Sequence, residues 1–218
     1  MTSAWEIEQR LDGIIQQHYY SEDFELLSSL KAFASTLSGD DLALLEQLII
    51  RRVTSECTLV DIMLCAVVHV PAAALVLAHK LNEAECFNQV TRALIASLAC
   101  YPMDEAYVAV ERFVDSDQEW ESLQAICRID FRRALPHLAR LIVKDHLHGT
   151  ILHILHERVE RKGLPGLLDD LVSSSAARSP AFHRELARVL TSKSAAYNPF
   201  SDADIQTMLS ALKSSGTG

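Results

Sequence analysis

Residues 123–141 read LQAICRIDFRRALPHLARL. Leu123-x-Ala125 with Ile129, followed by Ala134-Leu135 and Leu141, has the apolar spacing of a helix, a tight turn and a second helix. Two earlier stretches carry the same skeleton: Leu94-x-Ala96 with Cys100, then Ala106-Tyr107 and Phe113, and before it Leu64-x-Ala66 with Val70, then Ala74-Leu75 and Leu81. A weaker fourth copy runs Leu152-x-Ile154, then Leu164, Leu168 and Leu171. The closing anchors at 81, 113, 141 and 171 are 32, 28 and 30 residues apart. One helical hairpin cannot bury its apolar face alone, so copies in series are expected to stack. Stacking predicts an all-α solenoid with one extended curved surface.

The flanks are helical text as well, and no segment shows the alternation of a strand. Ser3 with Glu6 forms a capping box ahead of Ile7, Leu11, Ile14 and His18. Ser21 is expected to open a second helix carrying Phe24, Leu27, Leu30 and Ala34, which Ser38-Gly39 ends. Asp40-Asp41 is expected to cap a third helix that reaches about Glu56. Ile62 to Ala78 is almost wholly apolar and approaches the ~17–25 residues of a membrane span. His69 and Pro71 interrupt it, so it reads as two short buried helices with Pro71 opening the second, and no membrane partner is expected. Beyond the repeats, Pro180 to about Ser192 and Asp202 to Lys213 under a Ser201 cap read as helices, Asn198-Pro199 as a turn, and Gly216 to Gly218 as a frayed end. The expected organisation is a single domain over 1–218: capping helices at 1–57, about four repeat units over 58–172, and capping helices with the tail over 173–218.

The stretch from Asp115 to Leu141 resembles the HEAT repeat in its short form of about thirty residues per unit. The matching pieces are the acidic turn at Asp115 to Trp120, the Ala125-Ile126 to Ile129 close of the first helix, and the Ala134-Leu135-Pro136-x-Leu138 start of the second. Glu121 departs from the pattern, since these repeats often carry an arginine shortly after the turn. The likeness is good over 103–142 and loose over 59–102 and 150–172. It implies a right-handed α-α superhelix, second helices lining a concave wall, and a scaffold that binds other proteins.

Composition narrows the classes further. Only 7 Gly, 6 Pro and 6% aromatic residues in 218, with 49% hydrophobic content, argue against sandwiches, barrels and disorder. The net charge of −9 disfavours a general affinity for phosphate backbones, so no nucleic-acid partner is expected. Charge is unevenly spread: residues 1–127 hold twenty acids and seven bases, whereas residues 128–193 hold seven acids and twelve bases. Such asymmetry bears on partners, because local potential steers encounter. The five cysteines, Cys57, Cys65, Cys86, Cys100 and Cys127, never form C-x-x-C and lie in apolar text, which predicts buried free thiols in a reducing cytoplasm. The start at Met1 has no basic and apolar leader, so no secretion is expected.

Arg133, His137, Arg140 and Lys144 are spaced to share one helical face, opposite Leu135, Leu138, Leu141 and Ile142. In the concave wall that the resemblance implies, this stripe would grip acidic side chains or a phosphate. The alternative is pairing with the preceding repeat, which offers Asp104, Glu105 and Glu111, or a solvated face worth little energy. His146, His148, His153 and His156 crowd around Gly149 and are weak metal candidates, His153 and His156 sharing a face. The competing reading puts His146 and His148 in the last turn of a helix, bonding free carbonyls. No G-x-S-x-G, H-E-x-x-H or phosphate-cradling loop is present, and the acid pairs Glu83/Glu85 and Asp169/Asp170 suit helix starts, so no catalytic residue and no cofactor are assigned.

The expected function is a non-catalytic, cytoplasmic scaffold or adaptor binding another protein in its groove through Arg133, His137, Arg140, Lys144, Glu105 and Glu111. The rival reading within the same resemblance is an enzyme or enzyme subunit, either nucleic-acid glycosylase-like or chromophore-lyase-like. A third is a homodimer formed through residual apolar surface.

Overall fold

Short polar side chains catch the free amides at most helix starts, and the first elements follow from this. The computed structural model describes residues 3–18, 23–84, 88–116, 119–192 and 198–215, which contain twelve α-helices and no strand. The Ser21 cap, Cys86 and the Gly216–Gly218 end lie outside those residues, as does the side chain of Phe24. The chain divides into two compact units, residues 1–112 and 113–218.

The first unit holds α1 (Ala4–Gln17), α2 (Asp23–Ser35), α3 (Gly39–Ser55), α4 (Leu59–Val68), α5 (Pro71–Glu83), α6 (Gln89–Leu98) and α7 (Asp104–Glu111). The Ser3/Glu6 capping box starts α1, with the Ser3 amide donating to Glu6 at 2.7 Å. At α3 the cap is Ser38, whose hydroxyl accepts from the Asp41 amide; Asp40 and Asp41 lie in the first turn instead of capping it, where they complement the helix dipole. The apolar stretch at 62–78 is split as expected, α4 ending at His69 in the left-handed region (φ 57°) and Pro71 opening α5. No helix among the described residues is long and apolar enough to cross a membrane.

Within this unit α1, α3, α5 and α7 pack in succession, as do α2, α4 and α6, so each helix touches the one two places along. Arg51 and Arg52 of α3 reach Glu8 and Asp12 of α1, and Ser97 and Tyr101 reach the Ile62 and Cys65 carbonyls of α4. Leu64 and Leu94 are buried, as the repeat requires. Ala66 is only half-buried and Ala96 and Cys100 are exposed, because Cys65 and Ile95, one residue after each leucine, take the inward position.

The second unit holds α8 (Glu119–Ile129), α9 (Phe131–Leu141), a 3-10 turn (Asp145–Leu147), α10 (His148–Ser173), α11 (Pro180–Thr191) and α12 (Asp202–Ser215). Asp130 alone joins α8 to α9 and caps the latter by accepting from the Arg133 amide at 3.1 Å. Leu123, Ala125, Ile129, Ala134, Leu135 and Leu141 are all buried, so this copy of the skeleton is packed at every anchor. Packing then converges on α10, which touches α8, α9, α11 and α12. Gly163 breaks α10 at φ 72°, ψ 165°, backbone that side-chain-bearing residues rarely adopt. The break resets the helical phase: Leu167 and Leu171 become the buried anchors of the fourth copy, with Leu164 and Leu168 only half-buried. Ser201 caps α12 and Asn198 turns the chain by bonding the Leu190 carbonyl at 2.7 Å, which lets Phe200 pack inside.

Candidate functional site

Three of the four stripe residues, Arg133, His137 and Arg140, lie on α9. Leu135, Leu138, Leu141 and Ile142 are buried while Arg133, Arg140 and Lys144 are exposed and His137 is half-buried. Lys144 stands just past the end of α9, where it opens the 3-10 turn. Two of these cations are held by acids of their own unit. Arg140 binds Asp115, and its guanidinium also lies 3.3 Å from Nδ1 of His137. Lys144 binds Glu119, whose second carboxylate oxygen lies 2.7 Å from Nε2 of His146.

The two carboxylates respond to these partners. The hydrogen bond from Arg140 holds Asp115 below its ordinary value. Burial pushes Glu119 upward, but the hydrogen bonds from Lys144 and His146 outweigh it and hold the carboxyl below its ordinary value. Neither acid stood out in the sequence as a partner of the stripe. They precede it by 25 residues, inside the acidic turn of the same hairpin, and only the folding back of α9 on α8 brings them together.

A second charged cluster joins α8, α9 and α10. Glu157 accepts from Arg128 at 2.8 and 2.9 Å and from Arg161 at 2.6 Å. Asp170 is buried and receives both Arg132 and Arg158, while exposed Asp169 takes Arg132 at 2.6 Å. The cavity beside it, lined by Cys127, Arg128, Phe131, Glu157, Arg158 and Arg161, measures about 10 Å³, which is room for one water. Burial pushes the Cys127 thiol well up, so it stays protonated. The acid pair Asp169/Asp170 therefore ties the two halves of α10 together and to α9, instead of marking a helix start.

The four histidines do not converge. His146 lies in the 3-10 turn, and His148 is buried at the start of α10, not in the last turn of a helix, with Nε2 at 3.2 Å from the Ile142 carbonyl. Gly149 continues α10 and makes no turn. His153 is exposed, and His156 sets its ring edge on Phe200 at 5.9 Å. Among the described residues no three His, Cys, Asp or Glu side chains are gathered as a metal site. Four of the cysteines are free thiols: Cys65 and Cys127 are buried, Cys57 is half-buried, and Cys100 is exposed, contrary to the burial expected of it. Burial pushes Cys65 up to about 12.

Glu105 and Glu111 lie on α7 of the first unit, Glu105 exposed and Glu111 half-buried. That unit holds sixteen acids and seven bases, a net of −9, whereas residues 113–218 hold thirteen of each and carry none of the excess. Its interior charge is locked: Asp61 is buried, closes the Thr58 capping box, and accepts from Arg52 at 2.6 Å, Arg52 also reaching Asp12 at 2.9 Å. An open groove of about 610 Å³ lies along α1 and α2, lined by Arg10, Gly13, Ile14, His18, Ser29 and Phe33, with the Arg10 guanidinium 5.0 Å from the Phe33 ring centre. Set against protein-family models, curated proteins and solved structures, the chain has no match in any of the three.

Proposed function

We propose that the protein is a non-catalytic binding scaffold that receives another protein on the surface of a HEAT-like, right-handed α-α superhelix. The observation that carries this reading is the two-row packing of α1 to α7, in which each helix rests on the one two places along. Stacked hairpins pack in this way, and their use is a long face built from successive helices. The exposed surface also offers contact residues: Trp5, Leu75, Val108, Trp120 and Val143 are large apolar side chains left at 43–67% exposure. The free thiols accord with residence in a reducing cytoplasm.

Glu105 and Glu111 are the charged contacts proposed for the first unit, and Arg133, His137, Arg140 and Lys144 those proposed for the second. An acidic ligand at the latter must displace Asp115 and Glu119 from Arg140 and Lys144, which lowers the net gain there. The test is affinity capture from native extract, with the captured protein then purified and titrated against the full chain by calorimetry. Saturable binding by wild type, weakened in Arg133→Glu/Arg140→Glu/Lys144→Glu at unchanged circular dichroism, is the expected result for a partner seated on the second unit. Binding left intact by that variant moves the contact to other residues of the scaffold. A wild-type chain that binds no protein sinks the scaffold reading.

A further inference from the structure

We infer that the groove along α1 and α2 binds a small aliphatic monocarboxylic acid, a site that stands whether or not the chain also binds a protein. The groove follows one i, i+3, i+4, i+7 stripe on each helix, starting at Arg10 on α1 and at Ser29 on α2. The two stripes run in opposite directions. Arg10, at the head of the first, lies over Phe33 near the tail of the second, and His18, just past the tail of the first, is 2.9 Å from Ser29 at the head of the second. Eight residues separate Arg10 from His18, roughly 12 Å along the helix axis. The groove volume of about 610 Å³ is that of a small-molecule site.

The middle of the groove is apolar and unusually open at one position. Gly13 lies on the α1 stripe, in the helix interior, where glycine lowers stability. Nothing stands within 4 Å of the place its Cβ would take. Half-buried Ile14 and buried Phe33 line the groove beside it. With no side chain at position 13, a run of methylenes can lie close against the α1 backbone and bury its surface on these two residues.

Arg10 fixes the charge of the ligand. It is exposed, its guanidinium lies 5.0 Å from the Phe33 ring centre, and among the described residues no acid pairs with it. The acids nearest to it on α1 are engaged elsewhere: Glu6 closes the Ser3 capping box, Glu8 receives Arg51 at 2.7 Å and Asp12 receives Arg52 at 2.9 Å. A guanidinium over an aromatic face keeps its N–H donors in its own plane, where they meet a carboxylate as a pair. At the other end Glu25 stands 3.9 Å from His18, so the ligand's carboxylate belongs at Arg10 and its chain runs towards His18. The unit as a whole carries −9 and repels a second negative charge, which favours one carboxylate over a phosphate, a dicarboxylate or an acidic peptide. A zigzag of ~1.5 Å carbon–carbon bonds covers the ~12 Å with about ten carbons.

The test is equilibrium dialysis of the full chain against radiolabelled decanoate. Saturable binding at a single site is expected, with unlabelled hexanoate, decanedioate and decylamine each competing at least about tenfold less well than decanoate. Arg10→Gln, a change at an exposed residue, should weaken binding at least about tenfold. Gly13→Leu, which fills the groove, should abolish it at unchanged circular dichroism, and Val143→Lys in the second unit should leave it as in wild type. Should Gly13→Leu misfold, Gly13→Ala takes its place, with binding weakened about threefold in a chain at least as stable as wild type. The inference is overturned by a wild-type chain that shows no saturable binding of decanoate, by binding that Arg10→Gln or the folded Gly13 variant leaves unchanged, or by decylamine or decanedioate competing as well as decanoate.

Discussion

In the first unit seven helices lie in two rows, each packed on the one two places along, and the buried charge among the described residues is the Asp61 carboxylate, locked by Arg52 and a capping box. In the second, four helices gather on α10, a helix broken at Gly163 and tied across the break by Arg158 and Asp170. The two units start from the same hairpin skeleton, and α8–α9 is its best-packed copy. What separates them is the fourth copy. Its two helical runs meet at Gly163 and fold back so that Arg158 reaches Asp170, twelve residues along, and α8, α9, α11 and α12 all pack on this pair as a hub.

The most damaging single change should be Asp170→Ala. It takes the carboxylate from partly buried Arg158 and leaves exposed Arg132 only Asp169, and the loss of these charge-assisted bonds with the void left behind costs about 3 kcal/mol. Urea unfolding gives the loss, and amide exchange should quicken in α9 and α10 first. Exchange that quickens equally in α3 to α5 would break the contrast between a hub held by charge and rows held by apolar contacts.

Next come Gly163→Ala and Tyr101→Phe, one for each unit. At φ 72°, ψ 165° a methyl group strains the backbone by about 1–3 kcal/mol. Tyr101 holds the end of α4, its hydroxyl donating to the Cys65 carbonyl and accepting the Val70 amide at 3.1 Å while its ring stacks on His69 at 4.9 Å. Removing the hydroxyl leaves those buried groups unpaired at about 1–3 kcal/mol. Both losses are read from thermal unfolding, and a neutral Gly163→Ala would show that the break is dispensable.

Glu119→Gln should cost about 1–2 kcal/mol at neutral pH by weakening the bonds to Lys144 and His146. The folded carboxyl binds its proton less tightly than the unfolded one. Its contribution is therefore fully present above the ordinary value of 4.5 and is lost as pH falls through the lowered folded value. The gap between wild type and variant should close on acidification, and a gap constant down to pH below 4.5 would refute the pairing as its source.

The smallest effect has the opposite sign. Gly13 sits inside α1 with nothing within 4 Å of where a Cβ would stand, so Gly13→Ala should stabilise by about 0.5–1 kcal/mol. The pair of glycine variants, one damaging and one helpful, measures how differently the two units use the same residue.

Much of this was legible beforehand from particular residues. The Ser3/Glu6 box, the Pro71 and Pro180 helix starts and the Ser201 cap are decided within four residues, and each stands where its spacing placed it. The α9 stripe was legible for the same reason, since Leu135, Leu138 and Leu141 define one face and the cations the other. The partners of that stripe were not. Asp115 and Glu119 are no nearer in sequence than several other acids, and their choice depends on how α9 lies against α8. His146 and His148 lie beyond α9 instead of in its last turn, because Gly149 is helical and makes no turn, yet His148 does bond a free carbonyl at the end of that helix, Ile142.

By itself the sequence determined the helical class, several helix starts and the faces of most helices, because apolar spacing and capping act over a few residues and need no distant partner. The tertiary structure alone decided that the two runs of α10 fold together as a hub, that Asp170 is buried there, and that Leu75 and Val108 stay outside. Burial of those residues depends on which helix comes to lie against them, and that is a property of packing between segments far apart in the chain.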